Sequence, residues 1–127
     1  MRMTRRVTLI RIHPDDELSP HFKGAEFVCP HCGAGVIAYE LVMMLERLRA
    51  KVGKPLRINS GYRCPEHNKA VGGRPDSYHL LGVAADVAKV DPRMVDYALE
   101  IGFPGIIEYD NFIHLDLRLI PYLQRMG

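Results

Sequence analysis

"SYHLLGVAAD", residues 77–86, sets a histidine and an aspartate, His79 and Asp86, into an otherwise small and apolar stretch. A segment this rich in Leu, Val and Ala is entering a core, where a carboxylate is costly unless it is paired or bound to a cation. "VAADVAK", residues 83–89, reads as a buried strand with Asp86 at its middle. Gly72 and Gly73 let the preceding loop turn sharply, Gly82 and Ala84 leave room for close backbone approach, and Ser77 is placed to bond the local backbone.

A second polar intrusion lies downstream. In "NFIHLDL", residues 111–117, His114 occupies a mid-strand position where an apolar residue is expected. The period of two puts Phe112, His114 and Asp116 on one face, so Asp116 is placed to orient a ligand from behind. Neutral imidazole and carboxylate are good zinc ligands, and a catalytic zinc takes three protein ligands and keeps one position open. His79, Asp86 and His114 are the candidate set.

Outward from these strands, the chain mixes both kinds of element. "RRVTLIRI" (5–12) reads as a strand and "HPDDELSP" (13–20) as a loop. Ile37, Leu41, Met44, Leu45, Leu48 and Val52 form the stripe of an amphipathic helix that Gly53 ends. "PLRINS" (55–60) is a short strand; in "GYRCPEHN" Gly61 and Pro65 break regular structure. Asp91 caps and Pro92 opens a second helix with Met94, Val95, Ala98 and Leu99 on its apolar face, closed by Gly102. "GIIEY" (105–109) and "NFIHLDL" are strands joined at Asp110 and Asn111. This order predicts an α+β fold: a small antiparallel sheet carrying the metal site, flanked by helices.

The totals narrow the class. A chain of 127 residues is the length of one domain, and 47% hydrophobic with 25% charged residues excludes a disordered or fibrous protein. A net charge of +2, with its largest basic cluster in the short "MRMTRR", argues against nucleic-acid binding. No apolar run is long enough to cross a bilayer. "VTLIRI" is interrupted by Arg11 and followed by no small-residue cleavage site. The expectation is therefore synthesis in the cytoplasm without a signal peptide.

"SGYRCPEHNKAVGG" (60–73), then S-Y-H-L-L-G-V-A-A-D, then "FIHLDLR" (112–118), resemble the zinc D-alanyl-D-alanine carboxypeptidases and murein endopeptidases, the LAS metallopeptidases that share the hedgehog-like fold. The resemblance runs from Phe22 to Arg118. It implies that His79, Asp86 and His114 bind Zn2+ and that Arg63 engages the substrate or the developing oxyanion. A guanidinium suits that role because it forks onto a carboxylate or an anionic tetrahedral centre and stays charged. The implied substrate is a peptidoglycan stem or crossbridge peptide. A wall-cutting enzyme without a signal peptide fits a phage or prophage endolysin.

Several such relatives carry an acid three residues before the last histidine, as general base. Here Asn111 stands in that place. The role then falls to Glu108, six residues before His114 as in the hedgehog-like relatives, or to Asp110, with Tyr109 able to donate a hydrogen bond to the same intermediate. A non-catalytic binding module of the same fold is the alternative that Asn111 supports.

"FVCPHCG" (27–33) is a separate signal, a C-x2-C knuckle from Cys29 and Cys32. A structural zinc wants four ligands, so Cys64 and a histidine, His31 or His67, would have to join it. A disulfide from Cys64 to a knuckle cysteine, or three free thiols, are the other readings. Any link would brace the loop that carries Arg63.

Overall fold

The computed structural model describes residues 3–126. Five strands form the central sheet in the order β5 (Ile58–Ser60), β6 (Ala84–Ala88), β8 (Phe112–Asp116), β7 (Gly105–Glu108) and β9 (Tyr122–Gln124). Neighbours are antiparallel except β7 and β9, which run parallel. Two small antiparallel pairs stand outside it, β1 (Leu9–Ile12) with β4 (Gly35–Ala38) and β2 (Glu17–Ser19) with β3 (Phe22–Lys23). The architecture is α+β with small antiparallel sheets, as the order of elements predicts.

The pleat divides the central sheet into two faces. Ala85, Val87, Ile106, Ile113 and Leu115 are buried in the main core. Helices α1 (Tyr39–Val52) and α3 (Met94–Ile101) pack on each other, and α3 packs on β7. Asp86, Ile107 and His114 line a cleft on the other face. No helix among the described residues is long and apolar enough to cross a membrane.

Several element boundaries differ from the sequence expectation, each for a local reason. Only Leu9–Ile12 of the 5–12 strand pairs with a partner strand; Thr4 and Arg5 instead bond alongside Arg118 and Leu117. The expected 13–20 loop contains β2, because Pro20 and His21 form a turn that folds Glu17–Ser19 onto Phe22–Lys23. Ile37 belongs to β4, opposite Ile10, and not to the helix, which starts at Tyr39. The α1 stripe and its Gly53 C-cap at φ 73° otherwise match the periodicity.

Asp91 does not cap α3. Its carboxylate takes the Arg93 backbone N–H (2.8 Å) and side chain, so the helix begins at Met94, and Leu99 is exposed. Pro65 does not break structure but opens a short helix, α2 (Pro65–Ala70), at the position where a missing N–H costs nothing; the Cys64 sulfur accepts the His67 N–H there. Strand β9 has no periodic signal, since all three of its residues are exposed.

Candidate metal centre and cleft

His79, Asp86 and His114 come from three places in sequence and meet through strand register. Asp86 in β6 lies directly opposite His114 in β8, and Ser60 in β5 flanks Asp86 on its other side. His79 sits in a single 3-10 turn, Tyr78–Leu81, whose first N–H groups are capped by Ser77: its Oγ accepts the His79 N–H at 3.2 Å. Gly82 ends that turn at φ 74° and passes against the Val36 carbonyl, an approach that leaves no space for a side chain. The turn therefore hands the chain straight into β6.

One ligand atom from each of the three residues lies within 4.8 Å of the others, so the group could hold a metal ion. His79 Nδ1 donates to the Gly61 carbonyl (2.7 Å), which leaves Nε2 turned to Asp86 Oδ1 at 3.2 Å. His114 Nε2 donates to Asp116 Oδ2 (2.7 Å), which leaves Nδ1 facing the same Asp86 oxygen at 3.0 Å. Each imidazole thus has its outer nitrogen tied and its inner nitrogen turned to one point, the Asp86 carboxylate. That is how a metal-binding histidine is usually held.

The electrostatics keep an anion at the centre of the group. Burial pushes the Asp86 carboxyl up, but His114 and His79 outweigh it and hold the group far below the usual carboxylate range. Burial pulls His114 down, while Asp116 and Asp86 on either side raise it above its ordinary value. Asp116 is fully buried and held low against burial by Arg118, with Nη2 on Oδ2 and Nε on Oδ1 at 2.9 Å, and by His114. Asp116 therefore orients His114 from behind, as the strand parity predicts.

Arg63 reaches the centre from the segment after β5. Its Nη2 donates to Asp86 Oδ2 (3.1 Å), its Nε to Ser60 Oγ (3.0 Å) and its Nη1 to Asn68 Oδ1 (3.2 Å). Three of the five guanidinium donors are engaged within the protein. Arg63 accordingly positions Asp86, a candidate ligand, besides lining the cleft.

The cleft has a volume of about 570 Å³, and the two histidines, Asp86, Arg63, Arg74, Arg118, Tyr109 and Gln124 contribute to its wall. Among the described residues lining it, Asp86 is the one carboxylate. Glu108 is not brought there. It pairs with Ile113, one residue out of phase with His114, and so faces the other side of the sheet. There it accepts the Met126 N–H and bonds Lys89 at 3.0 Å, which together lower its pKa. Asp110 is exposed in the turn between β7 and β8 and does not line the cleft; Asn111 is exposed beside it. Tyr109 does reach the wall, stacked on Phe112 with centroids 4.5 Å apart.

Sequence reasoning missed Ser60, Asn68 and Arg118 as positioning groups, and the Gly61 carbonyl. Arg118 carried a readable signal, since a cation two residues beyond Asp116 continues the strand's alternation just past its end. The knuckle cysteines also have a partner: the Sγ atoms of Cys29, Cys32 and Cys64 lie within 4.8 Å of one another. Residues 20–116 match the family model described as peptidase M15. No curated protein matches the chain at a significant level.

Proposed function

Because the chain belongs to the peptidase M15 family, we propose that it is a zinc metallopeptidase hydrolysing D-amino-acid-containing peptide bonds of peptidoglycan, either as a D-Ala-D-Ala carboxypeptidase or as a murein endopeptidase. The observation that carries this reading is the paired imidazoles of His79 and His114. Both inner nitrogens converge on the Asp86 carboxylate at the cleft wall, with their outer nitrogens already occupied. Two imidazole nitrogens and one carboxylate oxygen are the donor set of a catalytic zinc with an open position.

A zinc ion held by these residues would supply Lewis acidity, polarising a scissile carbonyl and acidifying a water. The protein's own groups do the rest. Arg63, fixed by Ser60 and Asn68, keeps Asp86 in place and presents a permanent positive charge to a substrate carboxylate or an oxyanion. Arg74 and Arg118 extend that positive lining, which suits the carboxylates of a wall stem peptide. Tyr109, on the cleft wall, would donate a hydrogen bond to the developing negative oxygen. We place its action at the cell wall, in the context of phage or prophage lysis.

A second reading has its own support. With Asp86 the single carboxylate among the described cleft residues, no acid stands free to take a proton from water. A zinc-containing binding module that recognises wall peptide without cutting it fits that composition. Amine release from purified peptidoglycan separates the two. The peptidase reading predicts release by the zinc-loaded chain and none after chelation or in His114→Ala; peptide retained with no new amine would establish the binding module.

A further inference from the structure

We propose that Cys29, Cys32 and Cys64, with His31 as fourth ligand, form a structural zinc site that braces the segment carrying Gly61 and Arg63. The site stands on its own ligands and is independent of the peptidase reading. Zinc with Zn–S near 2.3 Å and Zn–N near 2.0 Å puts tetrahedral sulfurs about 3.8 Å apart and a sulfur and a nitrogen about 3.5 Å apart. The three sulfurs lie within 4.8 Å of one another; His31 stands outside that group, with Nδ1 3.5 Å from Cys64 Sγ, and its exposed side chain would turn in to complete the four ligands. The cysteines are free thiols, and three gathered at one point exceed what a single disulfide would use.

The backbone around them is shaped to present sulfur. Gly33 takes φ 72° and its N–H bonds the Cys29 carbonyl at 2.7 Å, closing the tight C-x2-C-Gly turn. Backbone N–H groups face the sulfurs from the other segment: Cys64 N–H points to Cys29 Sγ (3.5 Å) and His67 N–H to Cys64 Sγ (3.4 Å). Such donors offset the charge that thiolates bring to a metal. His31 Nε2 lies 3.6 Å from Oε2 of the exposed Glu66, an ion-pair distance and not a hydrogen bond. Cys29 is fully buried while Cys32 is exposed, which gives the ion a path from solvent.

The position explains what such a site would do. Tyr62 N–H bonds the Phe27 carbonyl at 2.8 Å, and Gly61 packs on the Phe27 backbone so closely that a side chain would not fit. A metal joining Cys29 and Cys32 to Cys64 would close this strap from its other end. The first tie carries the Gly61 carbonyl that orients His79, and between the two ties lies Arg63, whose guanidinium holds Asp86. The knuckle therefore acts on the cleft through these positioning groups.

Cobalt titration of the reduced, metal-free full chain under anaerobic conditions tests the site. Intense thiolate-to-cobalt charge-transfer absorption is expected in the wild type and in His114→Ala, so the result does not depend on the cleft centre. Cys32→Ser should lose most of that absorption, and His31→Ala should weaken cobalt affinity at the thiolate site. Absence of the band in the reduced wild type, or its full survival in Cys32→Ser, would overturn the proposal. Should removal of metal prevent folding, zinc-edge X-ray absorption of the protein as purified decides: sulfur near 2.3 Å supports the site, and zinc seen only with nitrogen and oxygen neighbours refutes it.

Discussion

Strand β8 carries two different chemistries on its two faces. Ile113 and Leu115 are fully buried in the core, whereas on the alternate positions His114 joins His79 and Asp86 in the metal-competent group and Asp116 backs it. Two carboxylates on adjacent strands extend the contrast. Asp116 is in phase with His114 and orients it; Glu108 is one residue out of phase and ends against Lys89 and the Met126 backbone. Residue type offered both acids for the site, and the pleat admitted only one.

Substitutions should separate the two faces cleanly. Leu115→Ala removes a fully buried side chain from the core face and is expected to cost about 2–5 kcal/mol in urea unfolding. Its residual folded fraction should keep metal affinity near that of the wild type; a parallel loss of affinity would mean that the faces are not independent. Asp116→Asn, on the site face, should weaken zinc binding about 10- to 100-fold in a chelator competition. An unchanged affinity would deny Asp116 its orienting role.

A third substitution lies off the sheet and calibrates the scale. Glu46 of α1 holds the β2–β3 hairpin, accepting from Ser19 Oγ (2.5 Å) and from the backbone N–H and Nδ1 of His21 (2.8 and 2.7 Å). Burial raises its pKa, but these bonds bring it below its ordinary 4.5. The stabilisation is thus present above that ordinary value and lost as pH falls through the lower folded one. Glu46→Gln should cost about 1–2 kcal/mol at neutral pH and progressively less in acid. A penalty that does not shrink in acid would place the effect in packing and not in charge.

The same parity rule explains what was legible in the sequence. His114 and Asp116 stood out because a strand pattern marks each position as inward or outward, and polar residues at apolar positions are conspicuous. The stripe of α1 was legible for the analogous helical reason. Glu108 was misread because its spacing from His114 was counted along the chain, while the β7–β8 turn sets which face it joins. Register across strands is invisible in one sequence, so neither the apposition of Asp86 and His114 nor the parallel β9 could be derived. Arg63 was singled out, but its bond to Asp86 depends on how β5 pairs with β6. The gathering of Cys64 with Cys29 and Cys32 likewise required the fold, since their sulfurs come from two separate loops.

The most direct test of a metal centre confined to one face is a count of tightly bound zinc in the wild type, His114→Ala and Glu108→Gln, measured side by side by elemental analysis after dialysis. His114→Ala should lose an equivalent of zinc relative to the wild type, and Glu108→Gln should lose none while retaining its fold. Full zinc in His114→Ala, or loss of zinc in a folded Glu108→Gln, would contradict the assignment of the centre to the His114 face.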